Sequence, residues 1–155
     1  MTGLLEPGEM APNFTLKNQR DEDIQLKSLC EAGKRVLVSF HPLAWTGVCE
    51  IQMRCLEAKY PALEKLDTIA LGISVDSAAC KKAWAKAIGM ERTSILADFW
   101  PHGHVAKMYK LFLEDMGISG RAAAVVDKEG KIVFMRQYEI PEIPDIEEII
   151  RFLKK

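Results

Sequence analysis

An α/β fold, one mixed sheet with helices packed on its faces, is the class expected for this 155-residue chain. Two short runs, Arg35 to Phe40 and Thr68 to Val75, are too continuously apolar for strands with a wet face and suit buried parallel strands. The stretch between them has helical apolar spacing, so strand, helix and strand form a βαβ unit, right-handed by default. Further on, Ala122 to Asp127 and Lys131 to Tyr138 flank the turn Asp127-Lys128-Glu129-Gly130, which adds an antiparallel pair to the parallel centre.

Taken in order, Asn13 to Lys17 and Asp23 to Leu26 form an opening hairpin over the polar turn Asn18-Gln19-Arg20-Asp21. The helix after the first buried strand runs from Val48 to about Leu66, with Met53, Leu56, Tyr60 and Leu63 as its core stripe. The second buried strand feeds a helix capped by Asp76 or Ser77 and stopped by Gly89, and His104 to Phe112 makes another short helix. Asp145-Ile146-Glu147-Glu148 reads as a capping box that opens a terminal helix of Ile149, Ile150, Phe152 and Leu153. No repeat, low-complexity tract or linker interrupts this order. Residues 1–155 therefore read as one domain of thioredoxin-like arrangement: an N-terminal hairpin, a central mixed sheet and flanking helices.

Net charge is −1, without the basic excess that nucleic acids or anionic membranes select, so neither is an expected partner. Met1-Thr2-Gly3-Leu4-Leu5-Glu6-Pro7 lacks the basic start and apolar run of a signal peptide, and no apolar stretch reaches membrane-spanning length. The expected location is the cytoplasm. Cys30, Cys49, Cys55 and Cys80 are irregularly spaced in a chain long enough to build its own core, which points to reduced or catalytic thiols over a disulfide scaffold.

One thiol has a chemically loaded address. In Pro42-Leu43-Ala44-Trp45-Thr46-Gly47-Val48-Cys49 a buried strand gives way to a helix, and Cys49 falls in the first helical turn. There the unpaired backbone N–H groups and the positive end of the helix dipole favour thiolate over thiol. Pro42 supplies a rigid turn, and the Thr46 hydroxyl, three residues before the cysteine, can hydrogen-bond the sulfur or a bound oxygen. Free cysteines are often buried and inert, but Cys49 sits one turn before Met53 at the open end of the core stripe, the place for a reactive one.

The spacing Pro-x-x-x-Thr-x-x-Cys resembles the peroxiredoxin family of thiol peroxidases. Ala11-Pro12-Asn13-Phe14-Thr15-Leu16, Ile73-Ser74-Val75-Asp76 and Gly120-Arg121 look like further landmarks of that family. Asp98-Phe99-Trp100-Pro101-His102-Gly103 is similar to its alkyl hydroperoxide reductase E-like branch. The Q, or bacterioferritin comigratory protein, type is the second choice of branch. The resemblance implies a thiol-dependent peroxidase of hydrogen peroxide and organic hydroperoxides, with Cys49 attacking the terminal peroxide oxygen and becoming sulfenic acid. No metal or organic cofactor is implied. By the same resemblance Arg121 contacts thiolate and peroxide, a role that suits the fixed fork of a guanidinium, and Pro42 shields the site. Gln52, one turn after Cys49, stands where many members have glutamate; it can hold the hydrogen-bond network without a negative charge.

Recycling is open from sequence. Cys80 is the better-placed resolving thiol, because it follows a strand expected beside the Cys49 strand, yet its spacing to Trp84 and Ile88 fits packing as well. Cys55 lies on the Cys49 helix, and about 9 Å of rise prevents a disulfide unless that helix unwinds. Cys30 falls in an expected loop as an unreactive surface thiol. The E-like resemblance implies a one-cysteine cycle with an external reductant: thioredoxin, a glutaredoxin-like protein or a low-molecular-weight thiol. It also implies a homodimer, with loops such as those of Trp45 and Trp100 at the contact.

Among the remaining residues, His102 and His104 lack further clustered ligands and are assigned to a strand-to-helix loop. His41 shapes the turn before Pro42. A disulfide oxidoreductase is disfavoured because Glu50-Ile51-Gln52 follows Cys49 where a Cys-x-x-Cys is needed. The alternative that survives is a non-catalytic redox sensor or relay using Cys49 to pass oxidation to one partner protein.

Overall fold

The computed structural model describes residues 3–155. Met1 and Thr2, the start of the segment expected to lack a signal peptide, lie outside the described residues. The elements in chain order are β1 (Thr15–Lys17), β2 (Asp23–Gln25), α1 (Leu26–Glu31), β3 (Arg35–Phe40), α2 (Gly47–Ala58), α3 (Tyr60–Glu64) and β4 (Thr68–Ser74). They continue as α4 (Ala78–Ile88), β5 (Ser94–Ala97), α5 (His104–Met108), β6 (Phe112–Leu113), β7 (Ile118–Ser119), β8 (Arg121–Val126), β9 (Ile132–Tyr138) and α6 (Ile146–Leu153).

Seven strands form one mixed sheet in the order β2-β1-β5-β4-β3-β8-β9, and β6 with β7 makes a separate ribbon. The two apolar runs pair in parallel as expected, from Arg35 opposite Thr68 to Phe40 opposite Ile73, with α2 in the crossover between them. On the other side of β3 lies β8, antiparallel, followed by β9. Both faces of β3 are covered, which is why its sequence is continuously apolar. Val36, Val38 and Phe40 pack into one layer with Leu26 and Tyr109. Leu37 packs into the other with Met53 and Leu56 of α2, Trp84 of α4 and Ile149, Ile150 and Leu153 of α6. Strand alternation then places Ser39 and His41 on the Leu37 face, under α2 and α4.

Several elements differ from the sequence expectation. The long helix after β3 divides at Lys59 (φ −92°, ψ 7°), because Pro61 has no N–H to bond the Glu57 carbonyl. Tyr60 consequently leaves the core stripe: it is half-buried, with the Arg92 guanidinium 4.6 Å from its ring centroid. The helix from His104 stops at Met108, since Lys110 turns left-handed (φ 60°) and Phe112 enters β6. Cys30 is buried in α1 and not exposed in a loop; a six-residue helix is too short for periodicity to reveal and forms by docking on the sheet. Four-residue β5 likewise needs its neighbour β4 to exist. Ser77, and not Asp76, caps α4 by accepting from the Cys80 N–H, and Gly89 ends it at φ 78°. The α6 box is half-formed: Asp145 caps the Glu147 N–H, while the Glu148 carboxylate turns to Arg136 at 2.7 Å.

Gly72 of β4 matters for the distance of α2 from the sheet. A Cβ there would collide with the Met53 sulfur and press on Ile95. Gly72→Ala is expected to destabilise the fold by about 1–3 kcal/mol through overpacking, read as a lowered denaturant midpoint at unchanged slope.

Candidate active site

At the end of β3 the chain turns sharply. His41 extends the pairing by one residue, its N–H donating to the Ile73 carbonyl at 2.9 Å, and Pro42 follows, buried. The loop is tethered across the strand edge by the Ala44 N–H, which donates to the Asp76 carboxylate at 2.8 Å. The same carboxylate oxygen accepts from the Ser74 hydroxyl. Trp45 adopts a left-handed backbone (φ 67°) and points outward. Thr46 then becomes the cap residue of α2, its carbonyl accepting from the Glu50 N–H at 2.9 Å.

Cys49 is the third residue of α2 and fully buried. Its sulfur lies 3.4 Å from Nη1 of Arg121, the first residue of β8, itself only 2% exposed. Two further contacts fix the guanidinium. Nη1 donates to Gln52 Oε1 at 2.6 Å and Nε donates to the Ile140 carbonyl at 2.8 Å. Gln52 in turn donates to the Ser39 hydroxyl at 2.7 Å and the Phe40 carbonyl at 3.1 Å. Strand register explains the convergence: Ala123 opposes Ser39, so Arg121 and Ser39 lie on the sheet face that α2 covers.

Cys49, Arg121, Pro42 and Thr46 line one pocket of about 290 Å³, completed by Leu43, Ile140 and other neighbours. A larger cavity of about 750 Å³ lies between the β1–β2 turn and α4, but it holds none of these groups, and the chemistry marks the smaller one. Thr46 does not bond the sulfur, one of the two partners open to it. Its hydroxyl donates to the Leu43 carbonyl at 2.8 Å and not to the sulfur, so it faces the pocket with lone pairs free to accept. Among the described residues no side chain caps the N–H groups of the first turn of α2, which leaves them available to negative charge.

The other thiols stand outside this pocket, and all four cysteines are free. Cys80 is half-buried in the first turn of α4 with its sulfur 3.8 Å from Asp76. Burial, and then the Asp76 charge, push this thiol up and hold it protonated. Cys55 shares α2 with Cys49, as expected, and Cys30 is pushed up by burial in α1. The Asp98 to Gly103 segment is structural here: the Asp98 carboxylate accepts from the Val105 and Ala106 N–H groups at 3.0 Å each, fixing the start of α5. His102 bonds the Gly117 carbonyl at 2.7 Å.

Two groups beside the site were not legible as such. Lys81 and His41 are both fully buried, with Nζ 2.8 Å from Nε2. Lys81 had a sequence signal, since it precedes Trp84 by three residues and Ala85 by four and so lies on the apolar face of α4. His41 does more than shape a turn.

The AhpC/TSA family profile matches residues 7–135. Alkyl hydroperoxide reductase E of Mycobacterium tuberculosis is 38% identical over 142 residues, covering 92% of this chain and 92% of that protein. A thiol peroxidase of Streptococcus parasanguinis is 32% identical, covering 84% of this chain and 77% of its own. Among solved structures, the reduced 2-Cys peroxiredoxin of Plasmodium vivax superposes with a TM-score of 0.87 at 26% identity, over 96% of this chain and 80% of that one. The thioredoxin-like α/β arrangement is common to both.

Gln52 is the joint between α2, β3 and β8. Gln52→Leu leaves a buried guanidinium short of an acceptor and is expected to cost about 1–3 kcal/mol, measured as the shift in chemical denaturation against wild type.

Proposed function

Because the chain belongs to the AhpC/TSA family of peroxiredoxins and is a thiol-dependent peroxidase, we propose that Cys49 is its attacking thiol and that hydrogen peroxide and organic hydroperoxides are its substrates. The observation that carries this reading is the Arg121 Nη1 contact with the Cys49 sulfur at 3.4 Å on the wall of an open pocket. The sulfur electron pair attacks the terminal peroxide oxygen, the O–O bond breaks, and the leaving alkoxide or hydroxide takes a proton to depart as alcohol or water. Cys49 is left as sulfenic acid.

Each neighbour has a part. Arg121 stabilises negative charge first on sulfur and then on the departing oxygen, with the uncapped N–H groups of α2 aimed at the same place. Thr46, its hydrogen committed to Leu43, accepts the hydrogen of the peroxide and so orients it. Pro42 closes one side of the pocket against water, and Gln52 holds Arg121 in place.

The family uses peroxides and thiol reductants and often forms dimers. For this chain we place the recycling step with an external thiol, from thioredoxin, a glutaredoxin-like protein or a small thiol. Support comes from Cys80, whose protonated thiol is a poor attacking group, and from Cys55, fixed on the Cys49 helix. A homodimer through the exposed Trp45 and Trp100 loops, and work by this one domain in the cytoplasm where free thiols persist, complete the proposal.

Cys49→Ser is expected to abolish peroxide reduction in a stopped-flow assay. Arg121→Met is expected to lower the second-order rate constant by about 10²–10³-fold while the circular dichroism spectrum is kept. Mass spectrometry with a sulfenic-acid trap is expected to find the adduct on Cys49. A crosslink from Cys49 to Cys80 or Cys55 would replace the external reductant by an internal resolving thiol.

A further inference from the structure

Lys81 is an unusual tenant of an apolar helix face. Its amine is fully buried, and among the described residues it makes no salt bridge. Its hydrogen-bond partner is His41 Nε2 at 2.8 Å, itself fully buried, and among the described residues His41 Nδ1 has no partner. Trp84 lies against both, 5.5 Å from the imidazole centroid and 5.5 Å from Nζ. A methionine would fill this space without the cost of burying a polar group that lacks a carboxylate. The nearby carboxylate, Asp76, is committed to the Ala44 N–H and the Ser74 hydroxyl.

We propose that Lys81, acting through the His41 imidazole, is a positioning residue of the peroxidase site: amine and imidazole hold a proton whose presence adds a second positive charge behind Cys49. The proposal rests on Cys49 being the attacking thiol. The contact is a hydrogen bond in two states. In one, the ammonium donates to Nε2 and the imidazole keeps its hydrogen on Nδ1. In the other, the neutral amine accepts from Nε2–H, and Nδ1 is bare.

The charges that face the pair come from every element around it: Cys49 from α2, Asp76 from the β4–α4 loop, Cys80 from α4 and Arg121 from β8. Burial brings the Lys81 amine down to about 7, against the opposing pull of Asp76, Cys80 and Cys49. Burial, and then Lys81, hold His41 well below its ordinary value, so the imidazole stays neutral and the pair titrates on the amine. The sign follows: the pair is charged below about 7 and neutral above it. A thiolate at Cys49 favours the charged pair, and by linkage the charged pair favours the thiolate; sulfenic acid, being neutral, withdraws that support.

The test is the second-order rate constant for hydrogen peroxide in wild type and Lys81→Met, measured across about pH 5.5 to 8.5. The ratio of wild type to variant is expected to fall at least about threefold as pH rises, with its midpoint near neutrality. A ratio that stays constant across pH would mean that Lys81 only packs, and would overturn the proposal. His41→Phe, which keeps the ring and removes the acceptor, is expected to move the step to lower pH; a step left in place would overturn the pairing. Because Cys49→Ser is assayed alongside, residual peroxide reduction in that variant would sink the Cys49 reading itself, whereas a flat ratio with Cys49 active sinks this proposal alone.

Discussion

A guanidinium buried without a carboxylate is the constraint on which the site depends. Arg121 is almost fully enclosed, and among the described residues no acidic side chain pairs with it. An ion in that position must find polar atoms, and it finds three on two separate parts of the chain: Gln52 and the Cys49 sulfur on α2, and the Ile140 carbonyl after β9. Each contact therefore ties one element to β8. Since glutamine and the carbonyl donate no net charge, the positive charge is left for the sulfur. A glutamate at position 52 would share it.

The sheet makes this convergence possible. Because β3 has helices on both faces, its alternate residues are committed to two different layers, and Ser39 and His41 fall on the layer of α2 and α4. Ser39 receives Gln52, and His41 receives Lys81. One strand thus positions both basic side chains, Arg121 and Lys81, through neutral polar groups at adjacent positions of one face. Asp76 completes the frame from the β4–α4 loop, holding the loop that carries Pro42 and Thr46. A shift of register by one residue would turn Ser39 and His41 into the opposite layer and dissolve the arrangement.

The thiols show how environment separates residues of one type. Cys49 lies at an open helix start beside a cation. Cys80 lies at a comparable helix start, yet Ser77 occupies its backbone N–H and Asp76 faces its sulfur. Cys30 is enclosed by apolar neighbours. Two thiols at comparable helix starts thus face nearest charges of opposite sign.

Local chemistry determined a large part of this protein in advance. The buried strands, the turn at Pro42, the start of α2 just before Cys49 and the Gly89 stop are properties of short segments, readable from apolar runs and from residues with restricted backbones. The family followed from motif spacing, because those residues act through local geometry. The short elements α1, β5 and the β6–β7 ribbon were not readable, since their few residues carry no periodicity of their own and are stable only when docked. Nor was the break before α3, where Pro61 interrupts an otherwise helical apolar pattern. At the site, the residue types were visible, but the partners were not. The bond from Thr46 to Leu43, the hold of Ile140 and Gln52 on Arg121, and the pairing of Lys81 with His41 are decided by which side chains the folded sheet and helices bring within hydrogen-bond reach. Burial forces those contacts, and burial is a property of the assembled layers that no single segment carries.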